Sequence, residues 1–323
     1  MSIPNSLTDR PALALRRARA TEFFLHAEAI AEVQERLLDV NRPFTSPKIV
    51  TGFPKIWQSL GPTTPDDDVL ATGLGQNDLI IHALSLHWAN DPVGQLVQCR
   101  LGLAPDGMFL GVMFGGQTLH ELRACLAEAE IEVSGGLSPR VLPMGEIRDL
   151  GGLLQRAGFA LPVADSFTKE VRYTSAFHLM RDLRAMGETN ALTARLRTPT
   201  NRRVFARASE IYHQRFVGAD GRIPATFEFI CLTGWAPHES QQKPLRPGSA
   251  KARLAEALAV PELALRRDED ETDDPRHPQF QGTHDGTSPT RRRSTDPRPI
   301  LAPRGHVPEN RGAACQSGNA RRL

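Results

Sequence analysis

The chain has no run of roughly 18 apolar residues, so no segment is built to cross a bilayer as a helix. Its formal charge of +2 over 323 residues is too small to argue for nucleic acid or a membrane surface as a partner. Four cysteines, Cys99, Cys125, Cys231 and Cys315, are scattered, with no CxxC pair and no Cys/His cluster at zinc spacing. Three of them lie in apolar surroundings and read as small buried hydrophobes. That usage fits a reducing compartment, and the expected location is the cytoplasm. The N-terminus lacks the long apolar segment of a secretory signal. Its Arg16, Arg17 and Arg19, with Asp9 and early prolines, read as a flexible arm over residues 1–20. No G-x-S-x-G elbow surrounds Ser85, which argues against a hydrolase.

What is present is enough apolar residue, 40% of the chain, for a real core. Residues 78–115 read as strand, short loop, helix, tight turn and strand, one βαβ unit. Residues 78–84 are nearly continuously apolar, as a strand buried on both faces requires. Asp91 caps a helix with Pro92 in its first turn and Leu96, Val97 and Leu101 inward. Pro105-Asp106-Gly107 turns the chain into a second apolar run, residues 108–114. Ligands of open α/β sheets sit beyond the carboxyl ends of strands, so residues 83–91 are the first place to look for a site.

Around this unit the pattern predicts further elements. A helix spans residues 21–40, with Thr21 as N-cap and Phe23, Ile30, Leu37 and Leu38 on its stripe. A second spans residues 118–130, with Thr118 and Glu121 at capping-box spacing. Others run from Ser175 to Gly187 and over residues 202–216, and extended segments are expected at residues 159–163 and 170–173. Residues 226–233 are apolar on both faces and read as a central strand. From Pro261 onward aspartate, arginine, proline, glycine and serine dominate, and no period persists. Such a stretch cannot bury enough surface to offset its ordering entropy, so residues 261–323 are expected to be a disordered tail behind a domain of residues 21–260.

Three words narrow the reading: residues 78–110 (DLIIHALSLHWANDPVGQLVQCRLGLAPDGMFL), residues 137–166 (LSPRVLPMGEIRDLGGLLQRAGFALPVADS) and residues 234–250 (GWAPHESQQKPLRPGSA). The first resembles the later half of a class I methyltransferase that uses S-adenosylmethionine. The others resemble the branch that holds the malonyl-carrier-protein methyltransferases of biotin synthesis and, more closely, relatives of a methyltransferase-like assembly factor of respiratory complex I. The resemblance implies an α/β, Rossmann-like sheet with an antiparallel last strand, shortened near its first two strands. It implies S-adenosylmethionine as cofactor, with Gly52, Asp68, Leu70, Ala83, Leu84 and Ser85 around it, and Trp88 towards a substrate. His87 either acts beside Trp88 as a base titrating near neutral pH or caps a loop. The implied partner is a respiratory complex I subunit or a carrier protein, and the implied activity is methyl transfer, arginine hydroxylation or assembly without catalysis. The front half departs from the family pattern. A cofactor loop needs glycines so that backbone can approach the ligand, and the corresponding IVTGFPKIW has Gly52 alone, followed by Phe53 and Pro54.

Overall fold

Alternating apolar runs and amphipathic stretches build, in chain order, α1 (Arg10–Arg17), α2 (Phe24–Asp39), β1 (Pro47–Thr51), α3 (Pro54–Trp57), β2 (Thr63–Thr64), β3 (Asn77–Ala83) and α4 (Pro92–Gly102). There follow β4 (Leu103–Phe114), α5 (His120–Ser134), α6 (Ile147–Arg156), β5 (Ala160–Tyr173), α7 (Ala176–Ala185), α8 (Arg202–Phe216) and β6 (Ile223–Trp235). The structure, a computed structural model, describes residues 6–242. The tail expected from Pro261 lies outside the described residues.

The strands form one six-stranded sheet in the order β2-β1-β3-β4-β6-β5. Strands β1 to β4 run parallel, and β6 is antiparallel to both β4 and β5. This is the α/β sheet with an antiparallel last strand that the sequence predicts. The expected shortening is at its first edge, where β2 has only two residues. Alternate residues feed two cores, as period-two geometry requires. Ile49, Ile81, Leu110, Phe229 and Cys231 pack under α2, α5, α7 and α8. Val50, Ile80, Phe109, Ile230 and Leu232 pack under α4 and α6.

Several local expectations are overruled by longer-range partners. Glu121 does not close a capping box; its carboxylate accepts from the backbone and hydroxyl of Thr226 on β6. Thr118 is likewise drawn to Glu228, and Leu119 starts α5 with a φ of 54° and no side-chain cap. Thr21 is not the N-cap of α2; its N–H bonds Ala185 O, and the helix begins at Phe24. The buried stripe of α2 is Leu25, Ala29 and Val33, leaving Leu38 80% exposed. On α4, Cys99 takes the inward place expected of Leu101, which is exposed. The two extended segments at residues 159–173 are one strand, β5, because β6 offers it a continuous partner.

The N-terminal residues read as an arm contain α1. Asp9 caps it by accepting from Ala12 N, and Pro11 sits in its first turn. Leu13 is buried with Trp88, Leu142, Ala191 and Leu192, and Thr8 pairs with Leu192 in an isolated bridge. Asp9 also takes salt bridges from Arg195 and Arg197. These contacts seat α1 over the carboxyl ends of β1 and β3.

Candidate functional site

From β1 the chain moves outward to β2 and then crosses to β3 on the other side, so the sheet's switch point lies between β1 and β3. Ligands of open α/β sheets bind in the crevice at that point. Its walls are Thr51 and Gly52 after β1, and Ala83, Leu84 and Ser85 at the end of β3. Leu84 turns there with a φ of 45°, a conformation L residues rarely adopt, while its N–H is held by Val112 O.

A side chain of α1, that of Arg17, reaches into this crevice, which keeps a cavity of about 770 Å³ lined by Arg17, Thr51, Gly52, Phe53 and Asp66 among others. Arg17 lies against Gly52 so closely that any Cβ at that glycine would run into its guanidinium. One nitrogen, Nη1, donates to both oxygens of Asp66, at 3.0 and 2.9 Å, and the guanidinium lies 5.4 Å from the centre of the Phe53 ring. Both partners of the ion pair are buried, at 7% and 6% side-chain exposure. Arg10 adds a longer contact to the same carboxylate, at 3.3 Å. Burial opposes ionisation of Asp66, but Arg17 and Arg10 outweigh it and hold the carboxyl below its ordinary range. Arg17 Nε and Nη2 have no partner among the described residues.

Of the three aspartates at 66–68, Asp66 is the one turned into the crevice, whereas the sequence points to Asp68. Asp68 is exposed, and its backbone oxygen is fastened by Gln98 Nε2 at 2.9 Å. Leu70 is buried, with its N–H on Gln98 Oε1 at 2.8 Å. Gln95 fixes the other end of this loop through Asp66 O and Asp67 O, and its Oε1 meets His82 Nε2 at 2.8 Å. His82 Nδ1 lies 3.3 Å from Ser85 Oγ. Ala83, Leu84, Ser85 and Gly52 thus meet at the crevice, while Asp68 and Leu70 stand on its outer loop.

With Arg17 on Asp66, this arrangement departs at three points from the glycine-rich S-adenosylmethionine loop that the resemblance implies. The single glycine is covered by a guanidinium, Phe53 and Pro54 replace the glycines that would follow, and both oxygens of the one buried acid are engaged.

His87 is buried, its Nδ1 3.5 Å from Phe114 N and its Nε2 without a partner among the described residues. Burial, reinforced by the positive charge of Arg17, lowers its pKa to about 3. It is therefore neutral at physiological pH rather than titrating there. Trp88 points the other way, donating from Nε1 to Glu188 Oε2 at 2.7 Å. Burial pushes the Glu188 carboxyl up. Trp88 and Glu188 belong to the wall of a cavity of about 270 Å³ beneath α5, α7 and α8. Phe114 and Phe227 form its sheet-side wall, and Leu119, Leu122, Met180 and Leu183 contribute to its helical side. Arg140 also lines it but is spent on Glu130 and Thr200. Among the described residues, no group of three or more His, Cys, Asp or Glu is placed to hold a metal ion.

No protein-family model matches the chain. It is 45% identical over 194 residues to the mitochondrial arginine-hydroxylase NDUFAF5 of Dictyostelium discoideum, covering 60% of this chain and 44% of that protein. It is 32% identical over 166 residues to the malonyl-[acyl-carrier protein] O-methyltransferase of Halorhodospira halophila, covering 51% and 54%. The chain thus spans about half the length of these curated relatives. A solved putative methyltransferase from Bacillus halodurans covers 63% of this chain and 98% of its own at 14% identity and a TM-score of 0.40, too loose a likeness to carry an argument. The named homologues are the two branches that the sequence words resemble.

Proposed function

We propose that this chain is an assembly-factor-type protein on a methyltransferase-like fold, which works on a protein partner without drawing on S-adenosylmethionine. The observation that carries the reading is the ion pair of Arg17 and Asp66 across the switch-point crevice, with the guanidinium against Gly52. A ligand that displaces the guanidinium from Gly52 would have to break a buried ion pair and leave Arg17 unpaired, a change that costs several kcal/mol. The higher identity to an arginine-hydroxylase than to a carrier-protein methyltransferase supports a respiratory complex I subunit as the partner. Arginine hydroxylation itself would need an oxidant, and no residue is assigned to that step.

A second reading, S-adenosylmethionine-dependent methyl transfer, is favoured by a different observation. The cavity beside Trp88 lies across that residue's turn from the crevice, where an acceptor would stand. In that case α1 leaves before the cofactor enters. Methyl transfer chiefly requires alignment of donor and acceptor in a dry site, so the lack of a titrating base at His87 does not argue against it.

The partner is tested by capture with the full chain as bait from an extract of a bacterium that contains complex I. Enrichment of complex I subunits is expected. Capture of acyl carrier protein alone would overturn the assembly reading in favour of the methyltransferase one.

A further inference from the structure

The apolar cavity has one charged end. Arg184 and Thr189 line it and also line a surface recess formed with Arg16, Arg19, Arg181 and Ala185. The recess exists because α1 and α7 end side by side. Arg16 is in the last turn of α1, Arg19 follows it, and Arg181 and Arg184 are in the second half of α7. Arginine at a helix C-terminus complements the helix dipole, which explains the residue type in each helix but not the meeting of four guanidinium groups. None of the four has a carboxylate partner within 4.0 Å among the described residues. This contrasts with Arg10, Arg17, Arg36, Arg140, Arg172, Arg195 and Arg207, which all do. Arg19, Arg181 and Arg184 are exposed, and Arg16 is held at the cavity wall through Thr189 O at 3.4 Å.

We infer that recess and cavity together form one binding site for an anionic amphiphile: a medium-length acyl chain inside and a carboxylate or phosphate head on the arginines. Leu122, Leu126, Met180, Leu183, Phe205 and Phe227 offer the chain a wall with almost no hydrogen-bonding demand. Methionine and leucine side chains adapt to a flexible guest. A volume of about 270 Å³ lies just under the usual range for small-ligand sites, about 300–1,000 Å³, which suits a chain rather than a fused ring system. Among the described residues the recess lining has no aromatic side chain to stack on a base, which disfavours a nucleotide. An acidic peptide would use the arginines and leave the cavity unfilled. Within the cavity Glu188 sits beside Trp88, its Oε2 accepting from the indole N–H at 2.7 Å, and burial pushes its carboxyl up.

The site lies away from the β1/β3 crevice, and its test does not involve S-adenosylmethionine, so it stands or falls separately from the assembly-factor reading. The full chain is titrated calorimetrically with decanoate below its micelle concentration, and in parallel with decanol and with inorganic phosphate. One saturable decanoate site per chain is expected, with decanol and phosphate each at least tenfold weaker. In R181A/R184A, decanoate binding weakens at least tenfold while decanol binding is unchanged. In L126W, whose new indole fills the cavity, both alkyl ligands lose binding, and circular dichroism checks that the chain remains folded. Absence of saturable decanoate binding to the unmodified chain overturns the inference. So does decanol binding as tightly as decanoate, which leaves the arginines no role, or phosphate doing so, which leaves the cavity none.

Discussion

The β1/β3 crevice and the cavity beneath α5, α7 and α8 lie on either side of Trp88, and they differ in kind. The crevice is crossed by a charged pair of the chain itself, with Arg17 on Asp66 and Gly52 pressed beneath the guanidinium, and open space of about 770 Å³ remains beside it. The cavity is apolar and empty of side chains, with Glu188 and Arg140 on its wall and arginines at one end. In an open α/β sheet the first is where a nucleotide-type ligand belongs. Here an internal ion pair crosses that place without filling it, and a second, apolar cavity lies under the helices. The comparison teaches that a sheet's switch-point crevice can be bridged by an ion pair of the chain itself while a separate apolar cavity forms under its helices.

The largest effect is expected from breaking the crevice's ion pair. Asp66→Ala leaves the Arg17 charge buried and unpaired and should cost about 3–5 kcal/mol in urea unfolding. The double replacement Arg17→Met with Asp66→Leu removes both charges. It should recover most of that loss, since well-packed apolar pairs substitute for buried ion pairs at little cost. If the double variant is as unstable as the single one, α1 is held by something other than this pair. Gly52→Ala drives a methyl into the guanidinium and should cost about 1–3 kcal/mol by overpacking. A neutral result would mean that Arg17 stands off the glycine.

Acid sharpens the same contrast. His26 and His87 are both buried, and burial lowers each to a pKa of about 3. The unfolded chain takes up protons at histidine below about pH 6.5, while the native one does not. Stability should therefore fall as pH drops from about 6.5 towards 3. Asp66 acts in a lower window. Its folded pKa is depressed, so its contribution is complete above the unfolded value of about 3.9 and is lost as pH falls through the folded one. Histidine ring resonances followed by NMR between pH 7.5 and about 5 check the first part: those of His26 and His87 should not move. The smallest effect is expected at Leu38, on the periodic stripe of the sequence but 80% exposed. Leu38→Ser should change unfolding free energy by no more than about 0.5 kcal/mol.

The sheet was legible where the signal was local. Residues 78–84 and 226–233 are apolar on both faces because helices cover both sides of β3 and β6. Asp91 and Pro92 mark the start of α4 by their own chemistry. Thr118 and Glu121 had the right spacing for a cap but found partners on β6, about a hundred residues away, which spacing cannot report. In the crevice, three consecutive aspartates look alike in sequence. Only the alternation from buried Thr64 on β2 to Asp66 points one of them inward. Arg17 was hidden by reading residues 1–20 as an arm, although Asp9 followed by Pro11 is a helix-start signal. The cavity had no linear signature, because its wall is assembled from α2, α5, α7, α8 and two strands.

The most direct test of the ion-paired crevice is a thermal-shift titration of the full chain with S-adenosylmethionine, run beside Arg17→Ala. A ligand at a hundred times its dissociation constant adds about 2.7 kcal/mol, so binding in the micromolar range is easily seen. The account predicts no shift for the unmodified chain at millimolar ligand. A saturating shift of the unmodified chain at micromolar S-adenosylmethionine would contradict it and return the crevice to a cofactor.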